Sequence, residues 1–547
     1  MSKIMKIKHG ELSLTAIINA AVGYEIITFD VFDTLLIRDV MKPTDVFSLS
    51  YGKGGRYLRS LAEIVAKKRS LTGEASLSEI NRYCPYSCER ERQLEKKLCR
   101  VNPDLYPVYE ALKKAGKKLY AISDMYLSSE DISELLRKAG YDIPVMVSCE
   151  MGCNKKSGEL FRKFLNRYGY QPEQVLHIGD DPAGDGRGAE KAGIRSLLIP
   201  RHSDRLAYMR TYTRNLEPAA FINHGINRRN DPIEEPVERI GYEIVGPITL
   251  AFCQWVHEKK QEQGYERLYF LSRDMRFPYE VYRRIYHDDI RYIRISRKSL
   301  RGAREDDTEI LRYLRQEQFY GKIAVVDTGW VGVAQVELDR YAKKLDPNSD
   351  VGGLYLGTKL AFRLRKRSKK SYACLYSSLP EQMECEISSS FLETLIGTNE
   401  EQVIAYKEGL PVYDRVESKD RTNLLKKGAK RFIREWLRTK GNKRIDPKAA
   451  RGAFERLFYN PTDADMKLLG SLHYEDFKDT SIISYDPGTD YKRNIGKFLT
   501  DLGDSAWKGA YLKQFGGWYP FLLAGYYVFG GGRIFLADAI RCLKKEI

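Results

Sequence analysis

The sequence predicts an α/β protein with a doubly wound parallel sheet in its N-terminal half and a second α/β domain after it. The first observation is that short apolar runs, at 25–29, 118–122 and 175–178, each end at a polar residue or a glycine. Runs of this length are typical of buried strands, and the helix-like segments between them give the alternation of a doubly wound sheet. The second observation is that a similar alternation resumes at about residue 238. The third is the length of 547 residues, which suggests at least two domains.

The domain boundaries are predicted from changes in composition. Residues 1–220 form the first predicted domain, in which a charged insertion at about 43–110 has helical character and is interpreted as a cap over the crevice of the sheet. The segment 227–236 is polar and contains two prolines, as linkers often do. Residues 235–547 form the second predicted domain, which has helical additions and an amphipathic C-terminal segment at about 505–547.

Polar residues that can handle phosphate follow the strands of the first domain. Asp30 follows the first strand and can attack phosphorus as a carboxylate nucleophile. The hydroxyl of Ser123, after the second strand, and the ammonium of Lys155 can hold phosphoryl oxygens and neutralise their charge. Because the carboxyl ends of parallel strands form one crevice, we expect these groups to lie together.

Acidic residues follow the third strand and suit a divalent cation. Asp180, with Asp181 or Asp185 as its partner, offers the hard oxygen ligands that Mg²⁺ prefers. Each segment taken alone is typical of a capped turn. The segments in this order favour a site for phosphoryl transfer, with Mg²⁺ as its cofactor.

On these motifs, residues 24–200 resemble the haloacid dehalogenase superfamily of hydrolases. The resemblance rests on Asp30 with Thr34-Leu35-Leu36, Ser123-Asp124-Met125, the stretch 152–161 and the stretch 177–189. It implies an α/β hydrolase domain with Asp30 as the nucleophile. The other residues that it implies are Ser123 and Lys155 for the phosphoryl group, and Asp180 and Asp185, with Asp30, for the metal.

Two details of this resemblance concern single residues. Lys155 is preferred to Lys156 because it lies three residues before Gly158. Phosphatases of the superfamily usually carry a second Asp two residues after the nucleophile, as the general acid and base, but Phe32 stands there and an Asp follows as Asp33. Asp33 serves if the turn presents it. Otherwise another residue takes the role, the domain is slow, or the substrate has a good leaving group.

Polar residues also follow the strands that are predicted in the second half. The candidate ligand-binding residues are Ser272, Arg273 and Asp274 after 267–271, Ser296 and Arg297 after 290–295, and Asp327, Thr328 and Gly329 after 322–326. A strand, a small polar turn and a helix N-terminus leave amides for an anion, which is how we interpret the segment 327–332. The alternative is an ordinary strand-to-helix turn in which Thr328 is the cap.

Together these segments resemble the layout of a phosphoribosyltransferase. Residues 327–329 would match the loop that binds the ribose 5-phosphate end of phosphoribosyl pyrophosphate, and residues 272–274 the loop that meets pyrophosphate. Val326 stands where that family has a second acid. The two halves are similar to dual-domain proteins of bacterial polysaccharide loci. That resemblance implies transfer of ribose 5-phosphate to a glycan acceptor, followed by removal of the 5-phosphate to leave ribofuranose.

Two alternatives from other classes stay open. One is a phosphatase of the haloacid dehalogenase type that acts on another phosphorylated sugar or nucleotide, with a second half that only binds substrate. The other is a non-catalytic assembly factor for glycan export, in which Phe32 marks an inactive hydrolase. Consumption of phosphoribosyl pyrophosphate with release of pyrophosphate separates the leading interpretation from both alternatives.

The net charge of +17, with an isoelectric point near 9.2, favours anionic partners. No nucleic-acid-binding signature accompanies this charge, so nucleic acid is not an expected partner. The sequence has no Gly-x-Ser-x-Gly elbow and no Walker loop, which argues against a serine hydrolase and a P-loop ATPase.

The expected location is cytoplasmic. Residues 1–9 lack the apolar core of a signal peptide, and no apolar run reaches about 20 residues. The basic stretch 363–370 and the segment 505–547 are candidates for peripheral contact with the inner face of the cytoplasmic membrane, which would suit a lipid-linked acceptor. The alternatives are a solvated loop for the first and a core-packing terminal segment for the second.

Overall fold

The computed structural model describes residues 4–6, 14–40, 43–200, 216–226, 233, 235–360, 362, 370–398, 400–414, 423–459, 461–470, 473–475, 479–491, 493–518, 522 and 526. The chain divides into two compact units: residues 1–210 with 216–232, and residues 211–215 with 233–547. Within the described ranges, no helix combines the length and the apolar character that crossing a membrane requires.

The first unit is built on a parallel sheet of six strands in the order β1-β8-β7-β2-β5-β6. The strands of this unit are β1 (Ile4–Lys6), β2 (Ile26–Phe29), β3 (Leu36–Arg38), β4 (Cys99–Val101), β5 (Lys118–Ser123), β6 (Val145–Val147), β7 (Val175–Gly179) and β8 (Arg195–Leu198). Every residue of the central β2 is buried. Ile27 and Phe29 pack into one hydrophobic cluster and Ile26 packs into another, which explains the unbroken apolar run of this strand.

The helices of the first unit include a group in the interval where a cap is predicted. The α-helices are Leu14–Ala21, Asp45–Arg69, Leu77–Asn81, Glu89–Leu98, Tyr106–Lys114, Ser129–Lys138, Ser148–Met151, Glu159–Tyr168, Ala189–Lys191 and Leu216–Ile226. In the cap interval, Arg59 pairs with Glu91 at 2.7 Å, and both side chains are buried. Arg38 pairs with Glu95 at 2.9 Å, also in a buried position. Removal of one partner would leave an uncompensated buried charge, so these pairs hold the helices of this interval in place.

The second unit contains a parallel sheet of five strands in the order β10-β9-β11-β12-β13. The strands are β9 (Arg267–Leu271), β10 (Ile290–Ile293), β11 (Lys322–Trp330), β12 (Asp350–Thr358) and β13 (Ser371–Tyr376), followed by the pairs β14 (Val403–Lys407) with β15 (Leu410–Tyr413) and β16 (His473–Glu475) with β17 (Asp479–Ser481). The α-helices are Pro236–Ile240, Gly246–Gln263, Arg276–Ile285, Arg297–Gly302, Thr308–Gln316, Val333–Leu345, Leu379–Ile396, Asn423–Lys440, Pro447–Tyr459, Asp463–Leu469, Ile495–Asp504 and Lys508–Lys513. The prediction of an α/β fold with a second sheet and a helical C-terminal part is confirmed.

Strand β11 is longer than the sequence predicts. The expected turn at 327–329 is wrong, because these residues continue the strand as far as Trp330. Asp327 pairs with Tyr355 of β12, and the ladder runs on beyond it. Gly329 has a φ of +90°, and a Cβ there would lie 2.4 Å from the Tyr355 side chain. Glycine is therefore needed at this position for the close approach of the two strands.

The predicted amphipathic segment 505–547 is described only in its first part. The Trp507 side chain is buried and stacks on Phe391, with the ring centroids 4.5 Å apart. Its Nε1–H donates a hydrogen bond to the carbonyl of Phe458 at 3.1 Å. This part packs into the core of the second unit. The rest of the segment lies outside the described residues, apart from residues 522 and 526, as do 363–369 of the basic stretch and 227–232 of the linker.

A cluster of charged side chains lies between the helices Leu379–Ile396 and Pro447–Tyr459. Arg451 lies 3.0 Å from a carboxylate oxygen of Glu381 and 3.1 Å from one of Glu455. Burial raises the pKa of Glu455 to about 8, with Arg451 opposing the shift and Glu384 adding to it. Glu455 therefore keeps its proton to a higher pH than an exposed glutamate does.

Glu455→Gln tests this assignment through the stability of the protein. A carboxyl with a raised pKa in the folded state stabilises that state fully below the unfolded pKa, and this stability is lost as the pH rises through about 8. Glutamine cannot ionise, so the variant should become more stable relative to the wild type as the pH rises from about 5 to about 9. At about 1.4 kcal/mol for each unit of pKa shift, the relative gain amounts to a few kcal/mol. The measurement is the free energy of unfolding against pH, with the half-buried Glu258→Gln as the control. Parallel curves for wild type and Glu455→Gln would contradict the raised pKa of Glu455.

Candidate active site

The first candidate site lies at the carboxyl ends of β2, β5 and β7. Parallel pairing aligns these ends, because Phe29 of β2 is opposite Ala121 of β5 and Ile178 of β7. Asp30 follows β2, and its N–H donates to the carbonyl of Ile178 at 2.9 Å. The ladder therefore holds the backbone of Asp30, and its side chain is buried at the end of the strand.

The ammonium of Lys155 joins two carboxylates in the interior. Lys155 Nζ lies 2.5 Å from Asp30 Oδ1 and 2.6 Å from Asp185 Oδ1. Burial lowers the pKa of Lys155, but the two carboxylates outweigh burial and the pKa is raised. Burial also raises the pKa of Asp30; Lys155 opposes this shift, and Asp185 and Asp180 add to it.

Asp185 accepts hydrogen bonds from several directions. Its Oδ2 accepts the backbone N–H of Asp180 at 3.0 Å and that of Asp181 at 2.8 Å. Its Oδ1 lies 2.6 Å from Lys155 Nζ and 3.0 Å from His177 Nε2. Burial raises the pKa of Asp185, but Lys155 and His177 outweigh burial and hold the pKa below its usual range. Asp185 is therefore ionised, and its charge anchors the lysine.

His177 and Thr28 belong to the site, although the sequence analysis did not predict them. Burial lowers the pKa of His177, so its imidazole is neutral. Because Nε2–H donates to the ionised Asp185, Nδ1 accepts from the Thr28 hydroxyl at 2.8 Å. The signal available in the sequence was a histidine within an otherwise apolar strand. Gly179 allows the arrangement, since a Cβ there would lie 2.3 Å from the Asp185 carboxyl group.

Three carboxylates form a group that can hold a cation. One ligand oxygen each from Asp30, Asp180 and Asp185 lies within 4.8 Å of the others, and all three residues are buried. The Asp181 carboxylate is directed elsewhere, because it accepts two backbone N–H groups of the following turn, at 3.3 and 2.8 Å. The structure therefore brings Asp185, and not Asp181, to Asp30. A buried set of carboxylate oxygens suits the hard cation Mg²⁺.

The loop that carries Lys155 is fastened to the end of β5. Ser123, the last residue of that strand, is buried. The carboxylate of Asp124 accepts the backbone N–H of Lys155 at 2.9 Å, so Asp124 positions the lysine. Gly188 permits a second close approach, because a Cβ there would lie 2.1 Å from the Lys155 carbonyl oxygen. Lys156, the alternative to Lys155, is exposed.

Phe32 stands where a second carboxylate is usual for phosphatases of the resembled superfamily. Its ring is buried, and the guanidinium of Arg38 lies over it at 4.1 Å from the centroid. Arg38 is itself paired with Glu95. Asp33 has a φ of 60°, in the left-handed region, and its carboxyl group is among those that raise the pKa of Arg38. The turn therefore places Asp33 near Arg38.

The second candidate site lies near the carboxyl ends of β9, β10 and β11. The structure places Ser272, Arg273 and Asp274 directly after β9, Ser296 and Arg297 after β10, and Asp327, Thr328 and Gly329 within the last part of β11. The hydroxyl of Ser272 donates to the carbonyl of Ile295 at 2.9 Å and accepts its N–H at 3.0 Å. The hydroxyl of Ser296 accepts the N–H of Ser299 at 3.0 Å. The hydroxyls of both serines are therefore hydrogen-bonded to backbone groups in this structure.

Asp327 lies close to groups that were not predicted from the sequence to contact it. Burial raises the pKa of Asp327 to about 6, opposed by the backbone N–H groups of Thr328 and Gly329, while Glu393 adds to the rise. The amides that were expected to receive a phosphate thus hold the Asp327 carboxylate. Glu393 comes from the helix Leu379–Ile396 and accepts the Trp330 indole N–H at 2.9 Å. No local motif marked Glu393.

Comparison with known proteins shows a family match for the region that carries the first of these sites. Residues 24–193 match the haloacid dehalogenase-like hydrolase family. The chain is 34% identical over 120 residues to the phosphoserine phosphatase of Thermus thermophilus, which covers 21% of this chain and 48% of that protein. It is 31% identical over 101 residues to the glyceraldehyde 3-phosphate phosphatase of Methanopyrus kandleri. That aligned region covers 18% of this chain and 43% of that protein. The chain thus spans about half the length of these curated relatives, or less.

Solved structures with a similar region include a dehalogenase with an intermediate complex. It is 18% identical, with a TM-score of 0.26, over 33% of this chain and 86% of that chain. A phosphatase of this family from Thermococcus onnurineus is 20% identical, with a TM-score of 0.26, over 32% of this chain and 87% of that chain. From the family match and the parallel sheet that carries the site, we conclude that the chain has a haloacid dehalogenase-like hydrolase domain at its N-terminus, over residues 24–193.

Proposed function

We propose that the first unit is a phosphatase that cleaves a phosphate monoester through an aspartyl-phosphate on Asp30. The observation that carries this proposal is the buried contact of Lys155 with both Asp30 and Asp185, beside Asp180. A carboxylate at a strand end, a neighbouring ammonium and an acidic group for a cation are the parts that this chemistry needs. The two relatives that are named as phosphatases support the same reaction class.

The reaction proceeds in two steps. The Asp30 carboxylate attacks phosphorus, the bond from phosphorus to the leaving oxygen breaks, and an acyl phosphate forms. The hydroxyl of Ser123 and the ammonium of Lys155 bind the phosphoryl oxygens during this step. Held by Asp30, Asp180 and Asp185, Mg²⁺ would neutralise charge on the phosphoryl group. Water then attacks the acyl phosphate, which restores Asp30 and releases inorganic phosphate.

The proton for the leaving oxygen needs a donor. Asp33 is the proposed donor, because Phe32 has no proton to give and Asp33 is the next residue in the same turn. The alternative is a substrate whose leaving group departs without protonation, and for such a substrate Asp33 is dispensable.

Asp30→Asn should abolish phosphate release by the intact protein. The amide keeps the shape of the side chain but cannot form an acyl phosphate, so a residual rate of less than about one hundredth of the wild-type rate is expected. Release of inorganic phosphate from a chromogenic phosphate monoester measures it. Glu25→Gln is the matched control, because this exposed carboxylate precedes the same strand and pairs only with Lys118 in the described part of the chain. Undiminished phosphate release by Asp30→Asn would remove Asp30 from the mechanism.

Mg²⁺ should raise the unfolding temperature of the wild-type protein, and Asp180→Asn should lose most of that rise. Three buried carboxylates repel each other, and a bound cation relieves this repulsion only in the folded state. The stabilisation is about 2.7 kcal/mol when free Mg²⁺ is about 100 times its dissociation constant. Thermal unfolding with Mg²⁺ and with EDTA provides the measurement, and the exposed Asp142→Asn is the control. An equal rise in Asp180→Asn, or full phosphatase activity in EDTA, would contradict this metal site.

We further propose that the second unit transfers ribose 5-phosphate from phosphoribosyl pyrophosphate to a glycan hydroxyl. The bond from ribose C1 to pyrophosphate breaks and its electron pair leaves with the pyrophosphate. The acceptor oxygen bonds to C1, and the proton of the acceptor hydroxyl passes to a protein base or to the departing pyrophosphate. The phosphatase of the first unit then removes the 5-phosphate and leaves ribofuranose. Support comes from a parallel sheet with acids, hydroxyls and arginines at its carboxyl ends, and from the net charge of +17.

The proposed acceptor is a glycan, and a lipid-linked one would explain an amphipathic C-terminal segment. In that case the protein works at the inner face of the cytoplasmic membrane, with a peripheral contact through the later part of 505–547, since Trp507 and its neighbours are buried in the core of the second unit. The raised pKa of Asp327 beside Glu393 supports a role for Asp327 in proton transfer or in binding the ribose hydroxyls. The competing functions are a phosphatase with a substrate-binding second half and a non-catalytic assembly factor.

Asp327→Ala should abolish consumption of phosphoribosyl pyrophosphate, and Arg273→Ala should weaken its binding by about 1.5–3 kcal/mol, the range for hydrogen bonds to charged groups. Calorimetric titration into intact protein with the Asp30→Asn background measures binding without hydrolysis. Arg137→Ala, an exposed arginine of the first unit, is the control. If the Asp30→Asn protein binds no phosphoribosyl pyrophosphate, the transferase proposal fails and the plain phosphatase takes its place. If the wild type also releases no phosphate, the assembly factor remains.

A further inference from the structure

A groove of about 600 Å³ opens on the second unit, between the helix Arg276–Ile285 and strand β10. Strand β10 is an edge strand of the five-stranded sheet. The walls of the groove carry five arginines, two tyrosines and two glutamates. None of these residues belongs to either candidate site, so the groove is a separate feature of the second unit.

The sequence places these side chains in two facing rows. Tyr279 and Arg283 follow Arg276 by three and seven residues, which puts them on one face of the helix. Tyr292 and Arg294 are two residues apart in an extended segment, so their side chains share one side and line the other wall. Because β9 and β10 are parallel, the connecting helix runs antiparallel to both strands. The guanidinium carbons of Arg276 and Arg294 lie 5.3 and 5.0 Å from the centroid of the Tyr292 ring. The opposite end of the helix, about 12 Å away, carries Arg284.

The charges of the groove are balanced at one end only. The ion pairs are Arg276 with Glu280 and Glu400, Arg294 with Glu400, and Arg291 with Glu317, at 3.0–3.6 Å. Arg283 and Arg284 are exposed, and no carboxylate of the described residues lies within ion-pair distance of either. Arg283 instead lies over the Tyr279 ring at 5.6 Å. The groove therefore has two arginines without an ion-pair partner among the described residues, beside an aromatic surface.

We propose that this groove binds an anionic glycan chain with spaced carboxylates. Arg283 and Arg284 would bind the carboxylates, because a guanidinium matches a carboxylate with two parallel hydrogen bonds. Glu280 and Glu317 would accept hydrogen bonds from sugar hydroxyls, and the tyrosine ring of Tyr279 would contact the sugar rings. The assignment of this chain as the acceptor of the transfer reaction rests on the function proposed above.

The lining favours a glycan over a nucleic acid. The five arginines outnumber the two glutamates, so the lining would attract either polyanion. A DNA strand offers no sugar hydroxyls to the oxygens of Glu280 and Glu317, whereas a glycan offers several on every unit. A glycan with carboxylates separated by neutral, hydroxyl-bearing segments meets arginines and glutamates in turn. One end of the groove is close in sequence to the second candidate site, since Arg276 follows Asp274 by two residues and Arg294 precedes Ser296 by two. A chain in the groove could therefore present its end to the transferase site.

A simpler explanation is that charged side chains on an edge strand prevent pairing with another chain. Charges with that role need no cavity and no aromatic wall. The two explanations differ in an observable way, because a purely protective edge does not bind a soluble oligosaccharide with side-chain specificity.

The test is calorimetric titration of tetragalacturonate, a chain of four uronic acids, into the intact wild-type protein. The methyl-esterified oligomer, in which the carboxylates are uncharged, is the ligand control. Arg283→Gln with Arg284→Gln should weaken binding about tenfold or more. Arg137→Gln with Lys138→Gln, two neighbouring cations in the last turn of a helix of the first unit, is the charge-matched control and should leave binding unchanged. Equal unfolding temperatures of both double variants would show that they are folded.

The outcomes separate this inference from the proposed function. Binding of the charged oligomer that depends on Arg283 and Arg284 supports the groove, whether or not the protein consumes phosphoribosyl pyrophosphate. Absence of binding overturns the groove and leaves the donor titration to decide the transferase proposal. Equal binding of the methyl ester, equal binding of single-stranded DNA, or full competition by inorganic pyrophosphate would each overturn the assignment to an anionic glycan.

Discussion

The contact of Lys155 with Asp30 and Asp185 is the interaction on which the first unit depends. Asp30, Asp180 and Asp185 carry three negative charges when ionised, and Lys155 supplies one positive charge, so a net charge of −2 remains in a buried place. Burial makes such a residual charge costly, and the raised pKa of Asp30 reflects that cost. A divalent cation held by these carboxylates would supply the missing charge. With the cation bound, Asp30 would be ionised, so the proposed chemistry links metal binding and nucleophilic attack in one set of residues.

The fold supplies this charge arrangement through backbone geometry. The ladder of β2 fixes Asp30, the turn after β7 fixes Asp185 with its own amides, and Asp124 fixes the backbone of Lys155. Two glycines, Gly179 and Gly188, allow the close approaches that bring these segments together. These contacts hold the side chains in place, which is what stabilisation of developing charge in the proposed reaction requires.

The sequence could predict the parts of the site that are local. Asp30 and Ser123 end apolar strands, and parallel strands bring their ends to one edge. His177 and its bond to Thr28 could not be predicted, because they depend on β7 lying next to β2, and strand order is not written in either strand. The expected turn at 327–329 failed for a related reason. Threonine and glycine favour a turn locally, but pairing with β12 carries the strand on to Trp330.

The groove of the second unit shows the same limit. Its arginines lie on one helix and on β10 or directly after it, and the edge position of β10 leaves them facing an open cavity. The sequence gives the excess of positive charge over the whole chain but not its location. The order of strands and helices determines where the positive side chains lie. Their positions in turn determine which anion the protein can bind.

The turn after the nucleophile connects the proposed chemistry of both units. A ribose 5-phosphate is the ester of a primary alcohol, and an alkoxide is a poor leaving group, so its hydrolysis needs a proton donor. Phe32 cannot supply one, and its ring lies under an arginine whose charge Glu95 already matches. In the two-step proposal, Asp33 is therefore the residue that must donate the proton to the leaving oxygen. A phosphatase that instead acts on a substrate with an acidic leaving group has no such need. Asp33 is thus the residue at which the two proposals for the first unit diverge, and its requirement for the hydrolysis of alkyl phosphates bears on the function of the whole chain.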